Sequence, residues 1–207
     1  MKVLTYLVSI YYFRKMKKII FLGISLIILV SIFNYSTNKD PEINYEGFNI
    51  VAPGVLRTPD ERFKNLVDYP FKPNYLKIGD TRIHYLDEGP KDGKVIYLLH
   101  GQPTWSYLFR KVIPTLTKAG YRVVAPDMVG FGKSDKYLSI DDYSHQMHVD
   151  KMTQLIIELN LQDVTAHLHD WGGLVGFRVI ADEPERFTRI IASNTSSLSA
   201  LSSLEAY

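Results

Sequence analysis

The 207-residue sequence contains no cysteine. That excludes a disulfide scaffold, thiol catalysis, and zinc or iron–sulfur centres built on thiolates. Charge of one sign is also lacking, and the formal net charge is only +2. Even this excess is local. Residues 1–18 hold Lys2, Arg14, Lys15, Lys17 and Lys18 and no acid, which leaves 19 cations against 22 acids in the rest of the chain. A mildly acidic body without a basic stripe is a poor nucleic-acid binder, because phosphate neutralisation needs clustered Lys and Arg. No low-complexity tract and no internal repeat occurs. Apolar residues make up 46% and charged residues 22%, ordinary usage that excludes a disordered or collagenous chain. The length suits one domain, or one domain with an appendage.

Only one long apolar run is present, Ile19–Phe33 (IIFLGISLIILVSIF), directly behind Arg14, Lys15, Lys17 and Lys18. A basic stretch followed by an apolar one is the pattern of an export signal. A spanning helix needs about 17–25 apolar residues, so the run is borderline for crossing a membrane. No small-residue cleavage site follows it. Residues 1–35 therefore read as an uncleaved signal anchor, in the membrane through residues 19–35, with a removed signal peptide and secretion as the alternative. The positive-inside rule leaves the N-terminus in the cytoplasm and residues 36–207 outside it, on the periplasmic side of a bacterial membrane. Met16-Lys17-Lys18-Ile19 also makes a normal leader start, with residues 1–15 then an upstream extension.

Residues 36–72 read as a lead-in segment and 73–207 as the folded part. Tyr75–Ile78 and Thr81–Asp87 flank Gly79-Asp80, a two-residue hairpin signal. Val95–Leu99 (VIYLL) reads as a strand buried on both faces. Ser106–Ala119 is helix-like and stops at Gly120, a plausible C′ glycine. Tyr121–Ala125 is the next strand. Met147, Met152, Leu155, Ile156 and Leu159 recur at helical spacing. Val164–His169 predicts a strand, Gly173–Ala181 a helix, and Arg189–Ser193 a last strand that would leave a raw sheet edge. Strands alternating with helices imply right-handed crossovers and a mostly parallel α/β sheet with flanking helices. In such sheets chemistry sits at the C-terminal strand ends. Those ends carry His100-Gly101-Gln102, Asp127, His169-Asp170-Trp171 and Asn194.

Asp170 follows a strand and precedes Trp171-Gly172-Gly173 and a helix. A strand, one residue, glycines and a helix form the nucleophile elbow of α/β hydrolases, usually built around serine. The turn lifts the middle side chain above the sheet and leaves the next N–H free at a helix N-terminus. An aspartate there can attack saturated carbon and give an alkyl ester. The competing reading of Asp170 is a helix N-cap. Its neighbours favour the elbow. Leu56–Tyr75 (LRTPDERFKNLVDYPFKPNY), Tyr85–Gly89 (YLDEG), His100–Arg110 (HGQPTWSYLFR), Ala125–Asp135 (APDMVGFGKSD), His169–Gly173 (HDWGG) and Asp182–Phe187 (DEPERF) resemble haloalkane dehalogenases in unbroken order. The resemblance implies the α/β-hydrolase fold and a small halogenated alkane as substrate, without a cofactor or metal. It implies Asp170 as nucleophile, with the Trp171 indole N–H and the Gln102 amide holding the leaving halide. Gln102 departs from the Glu or Asn common there, yet an amide still donates. The plainer readings are core packing for Trp171 and a turn residue for Gln102.

Other constellations are weaker. Gly130-Phe131-Gly132-Lys133-Ser134 resembles the end of a phosphate-binding loop, but the required earlier glycine is Asp127. His167 and His169 share one strand face, two metal ligands without a third. His145 and His148 read as a solvated helix face. A general base for ester hydrolysis is not found, since no histidine follows His169. The chain therefore reads as the N-terminal part of an α/β-hydrolase domain, lacking the cap and the last strands, and as a truncated enzyme without full turnover. The alternatives are an epoxide hydrolase, which uses the same aspartate, and a non-catalytic membrane-anchored remnant. Gln102 and Leu168 replace the Phe and Gly that epoxide hydrolases typically show.

Overall fold

The computed structural model describes residues 47–196. The expected leader at 1–35, the first part of the expected lead-in and the last eleven residues lie outside the described residues. Among the described residues no helix is long and apolar enough to cross a membrane.

Two sheets form. A small one joins β1 (Asn49–Ala52), β2 (Val55–Arg57) and, after the strands below, β7 (Lys136–Tyr137). The main sheet has six strands: β3 (Asn74–Ile78), β4 (Thr81–Glu88), β5 (Val95–Leu99), β6 (Arg122–Pro126), β8 (Val164–His169) and β9 (Phe187–Ser193). Their spatial order is β3-β4-β6-β5-β8-β9. The β3/β4 hairpin and the β4/β6 pair are antiparallel, and the other pairs are parallel. This is the mostly parallel α/β sheet that the strand–helix alternation predicts.

Every residue of β5 is buried, because helices cover both faces of the sheet. Tyr97 and Leu99 join one core with Val149, Met152, Leu155 and Ile156 of α2 (His145–Glu158) and Val175 and Val179 of α3 (Trp171–Asp182). Ile96 and Leu98 face the other way, toward Ile113 of α1 (Ile113–Lys118), Phe109 and Tyr69. Burying each such side chain contributes about 1.5–3 kcal/mol. The period of two along β5 and of 3.6 along α2 thus meet in one packing scheme.

The helix expected over Ser106–Ala119 is two pieces, a 3-10 turn at Ser106–Phe109 and then α1. Pro114 stands in the first turn of α1, where its missing N–H costs nothing; one continuous helix would need that N–H. The expected stop holds. Gly120 has φ +87°, its N–H reaches Thr117 O at 3.0 Å, and the Tyr121 N–H reaches Leu116 O at 3.1 Å, a Schellman close. Helix α2 begins at Ser144, whose Oγ accepts from Met147 N–H at 3.0 Å, a cap worth about 1 kcal/mol. Strand β9 is the edge among the described residues, with Ile190 46% and Ile191 53% exposed.

Candidate active site

Strands β5 and β8 lie side by side, with Leu99 level with Leu168. From β5 the chain crosses to β6 on one side, and from β6 to β8 on the other. Such a reversal opens a crevice at the C-terminal strand ends. His100-Gly101-Gln102 leaves β5 into that crevice, and Asp170 leaves β8.

Asp170 has φ 54° and ψ −128°, a conformation that costs an L residue on the order of 1–3 kcal/mol. It stands at the N-cap position of α3, yet its side chain makes no cap hydrogen bond. The N-cap reading therefore fails. Instead Oδ1 accepts from the Gln102 backbone N–H at 2.9 Å. Two glycines make room for this. A Cβ on Gly101 would strike the Asp170 carboxylate, and one on Gly172 would strike the backbone at Leu99 and His100. The elbow peptide is tied on both sides. The Asp170 N–H donates to Ser193 O at 3.3 Å, and its carbonyl accepts from Gly173 N–H at 2.8 Å and Thr195 Oγ1 at 2.6 Å.

Trp171 is 47% exposed, so it is not a core residue. Gln102 and Trp171 line one cavity of about 510 Å³, together with Met128, Phe131, Tyr143, His145, His148 and Val175. The structure thus brings the three sequence-selected residues together: the Gln102 backbone N–H bonds the Asp170 carboxylate, and Gln102 and Trp171 line the same cavity. It also corrects the reading of His145 and His148 as a solvated face. His145 Nε2 lies 3.1 Å from Leu174 O, and His148 Nδ1 is buried with no partner among the described residues. Both turn inward because the helix face they occupy packs toward α3 and the cavity. Burial, reinforced by His100 and His145, pushes the His148 imidazole down to about 4.

Sequence reasoning left Asp127 at a strand end without a role. It is fully buried. Its Oδ1 accepts from Ser106 N–H at 2.8 Å, and Oδ2 from Lys133 N–H and His84 Nδ1, each at 2.8 Å. Burial alone would raise its pKa, but the His84 imidazole, His100 and the Ser106 N–H together hold it below the ordinary range. This carboxylate pins the loop that carries Gln102 and the glycine loop that carries Phe131. The phosphate-loop likeness of Gly130–Ser134 dissolves here: the loop wraps a carboxylate, which repels a phosphate. His100 is equally committed. Its Nε2 accepts from Met128 N–H at 3.0 Å, so Nδ1 carries the proton and donates to Gly101 O at 2.9 Å.

A family model described as alpha/beta hydrolase fold matches residues 94–206. The chain belongs to the alpha/beta hydrolase family. This alpha/beta hydrolase is 53% identical over 146 residues to a haloalkane dehalogenase of Psychrobacter cryohalolentis, covering 68% of this chain and 48% of that one. A haloalkane dehalogenase of Mycolicibacterium paratuberculosis is 56% identical over 145 residues, with 68% and 48% covered. Among solved structures, the tetrameric haloalkane dehalogenase of Paraglaciecola agarilytica NO2 superposes with a TM-score of 0.66 at 46% identity, covering 69% of this chain and 49% of that one. An epoxide hydrolase mutant of Vigna radiata gives 0.57 at 29% identity, with 62% and 40% covered. The resemblance to haloalkane dehalogenases read from the motifs holds. The chain spans about half the length of the curated relatives it matches.

Proposed function

We propose that this hydrolase cleaves carbon–halogen bonds of haloalkanes with Asp170 as nucleophile. One observation carries the reading: the Asp170 carboxylate sits on a strained elbow, uncapped, with Oδ1 held by the Gln102 N–H. Oδ2 is then the oxygen left to attack. It forms a bond to the halogen-bearing carbon while the carbon–halogen bond breaks, and the halide leaves with the bonding pair. The Trp171 indole N–H and the Gln102 side-chain amide, from two residues that line the same cavity, donate to the departing halide. The products are halide and an alkyl ester of Asp170. The haloalkane dehalogenase names of the relatives support this substrate class over epoxides, for which the likeness is weaker.

Incubation of the 207-residue chain with 1-bromobutane should add one butyl group to Asp170, seen by intact mass and absent from Asp170→Asn. An adduct with 1,2-epoxybutane but none with 1-bromobutane would transfer the reading to epoxide opening. The leader motivates the further proposal that Arg14–Lys18 and Ile19–Phe33 export and anchor the chain. A reporter fused after Thr37 should then be active only if it works outside the cytoplasm.

A further inference from the structure

We infer that Thr195 is a positioning residue for the nucleophile, its hydroxyl holding the elbow in the conformation that presents the Asp170 carboxylate to Gln102. The inference rests on the reading of Asp170 as nucleophile. A strained backbone persists only where its surroundings over-determine it. At Asp170 those surroundings come from the end of β9. Ser193 O takes the Asp170 N–H at 3.3 Å, and Thr195 Oγ1 donates to the Asp170 carbonyl at 2.6 Å. The segment Ser193–Thr195 therefore grips both polar groups of one residue. The hydroxyl bond is much the shorter of the two.

Two neighbours are shaped to allow it. Asn194 takes a left-handed φ of 47°, which turns the chain off β9 and back over the elbow. Gly173 leaves the space that Thr195 fills, since a Cβ there would strike Thr195 Oγ1. The Gly173 N–H reaches the same carbonyl at 2.8 Å, a tight first turn of α3. Without the hydroxyl, that N–H would be the carbonyl's one remaining donor among these contacts. The peptide would then be free to relax toward ordinary helical geometry, and the carboxylate would swing from the Gln102 N–H. Thr195 touches no substrate in this scheme. It acts through Asp170.

The test compares Thr195→Val and Thr195→Ser in the full chain, with Thr195→Ala as a second removal should the valine variant not fold. Alkylation by 1-bromobutane is followed by intact mass across bromobutane concentrations. Misplacing a reacting group costs about 10- to 100-fold, so Thr195→Val should lose about that much maximal rate, with the half-saturating concentration within about twofold and Thr195→Ser near wild type. An unchanged maximal rate overturns the inference. So does an equal loss in Thr195→Ser, or a loss confined to half-saturation. If wild type forms no adduct with either 1-bromobutane or 1,2-epoxybutane, the nucleophile reading fails, and amide exchange at Gly173 decides on Thr195 alone. Faster exchange in Thr195→Val than in wild type and Thr195→Ser upholds the grip on the elbow, and equal exchange removes it.

Discussion

A carboxylate at the start of a helix ordinarily caps it, and a capping carboxylate is spent. Asp170 escapes this because its backbone is held at φ 54°, which turns the side chain from the N–H groups of α3 toward Gln102. Gln102 therefore has two separable parts. Its backbone N–H holds the Asp170 carboxylate, and its side-chain amide is the donor proposed for the halide, in a residue that lines the same cavity as Trp171. Gln102→Ala keeps the first and removes the second. Carbon–halogen cleavage should slow by about 10²–10³, the cost of losing one preorganised donor. Bromide release in single-turnover mixing checks this, and a change below about threefold returns Gln102 to a turn role. Gly101→Ala should act through the other part. Its Cβ would strike the Asp170 carboxylate, so adduct formation should fail while circular dichroism stays that of the folded chain.

The elements of the main sheet were legible because their burial is two-sided and their helices are amphipathic. β5 could be read from VIYLL, and α2 from the spacing of Met152, Leu155 and Ile156. Met152 is completely buried and lies 3.4 Å from Tyr97 Oη, which donates to its sulfur. Met152→Ala should cost about 2–5 kcal/mol, measured by denaturant unfolding; a loss under about 1 kcal/mol would mean the cavity collapses freely. The small sheet was not legible. Its strands are four, three and two residues long, too short for periodicity to register. A tertiary contact fixes it: Arg57 binds Asp135 with Nε to Oδ1 at 2.7 Å and Nη2 to Oδ2 at 2.9 Å. The Ser106 turn was hidden for a similar reason. Its N–H is taken by Asp127, 21 residues away, and no local propensity reports that. At the site, a strand end and glycines mark Asp170 as an elbow residue, whereas Trp171 and Gln102 were singled out through the motif resemblance. Thr195 was not, since a hydroxyl after a strand carries no signal until the chain has turned.

At the scale of the whole molecule, the buried histidines shape the pH response. Burial lowers the pKa of His100, His148 and His167, His148 to about 4. In the unfolded chain an imidazole binds its proton near pH 6.5. Between these values the unfolded state holds more protons, so stability must fall as pH falls from about 6.5 toward 4. Asp127, with a lowered carboxyl pKa, adds a further loss in more acid solution. His148→Phe should flatten the slope of unfolding free energy between pH 6.5 and 4, and an unaltered slope removes His148 from the account. Among the described residues, most imidazoles are tied up in structural contacts. His84 is bound to Asp127, His100 uses both nitrogens, His145 bonds Leu174 O, and His167 lies 3.0 Å from Ser193 Oγ. His148 is a weak base at about 4, and His169 Nδ1 is buried. General-base help is worth about 10²–10⁴ in rate, so in residues 1–207 the butyl ester should accumulate rather than turn over. Bromide release should stop at one ion per chain and match the adduct on Asp170. Sustained release would mean that an imidazole assigned here to structure is free to activate water, with His169→Gln and His148→Gln as the variants that identify it.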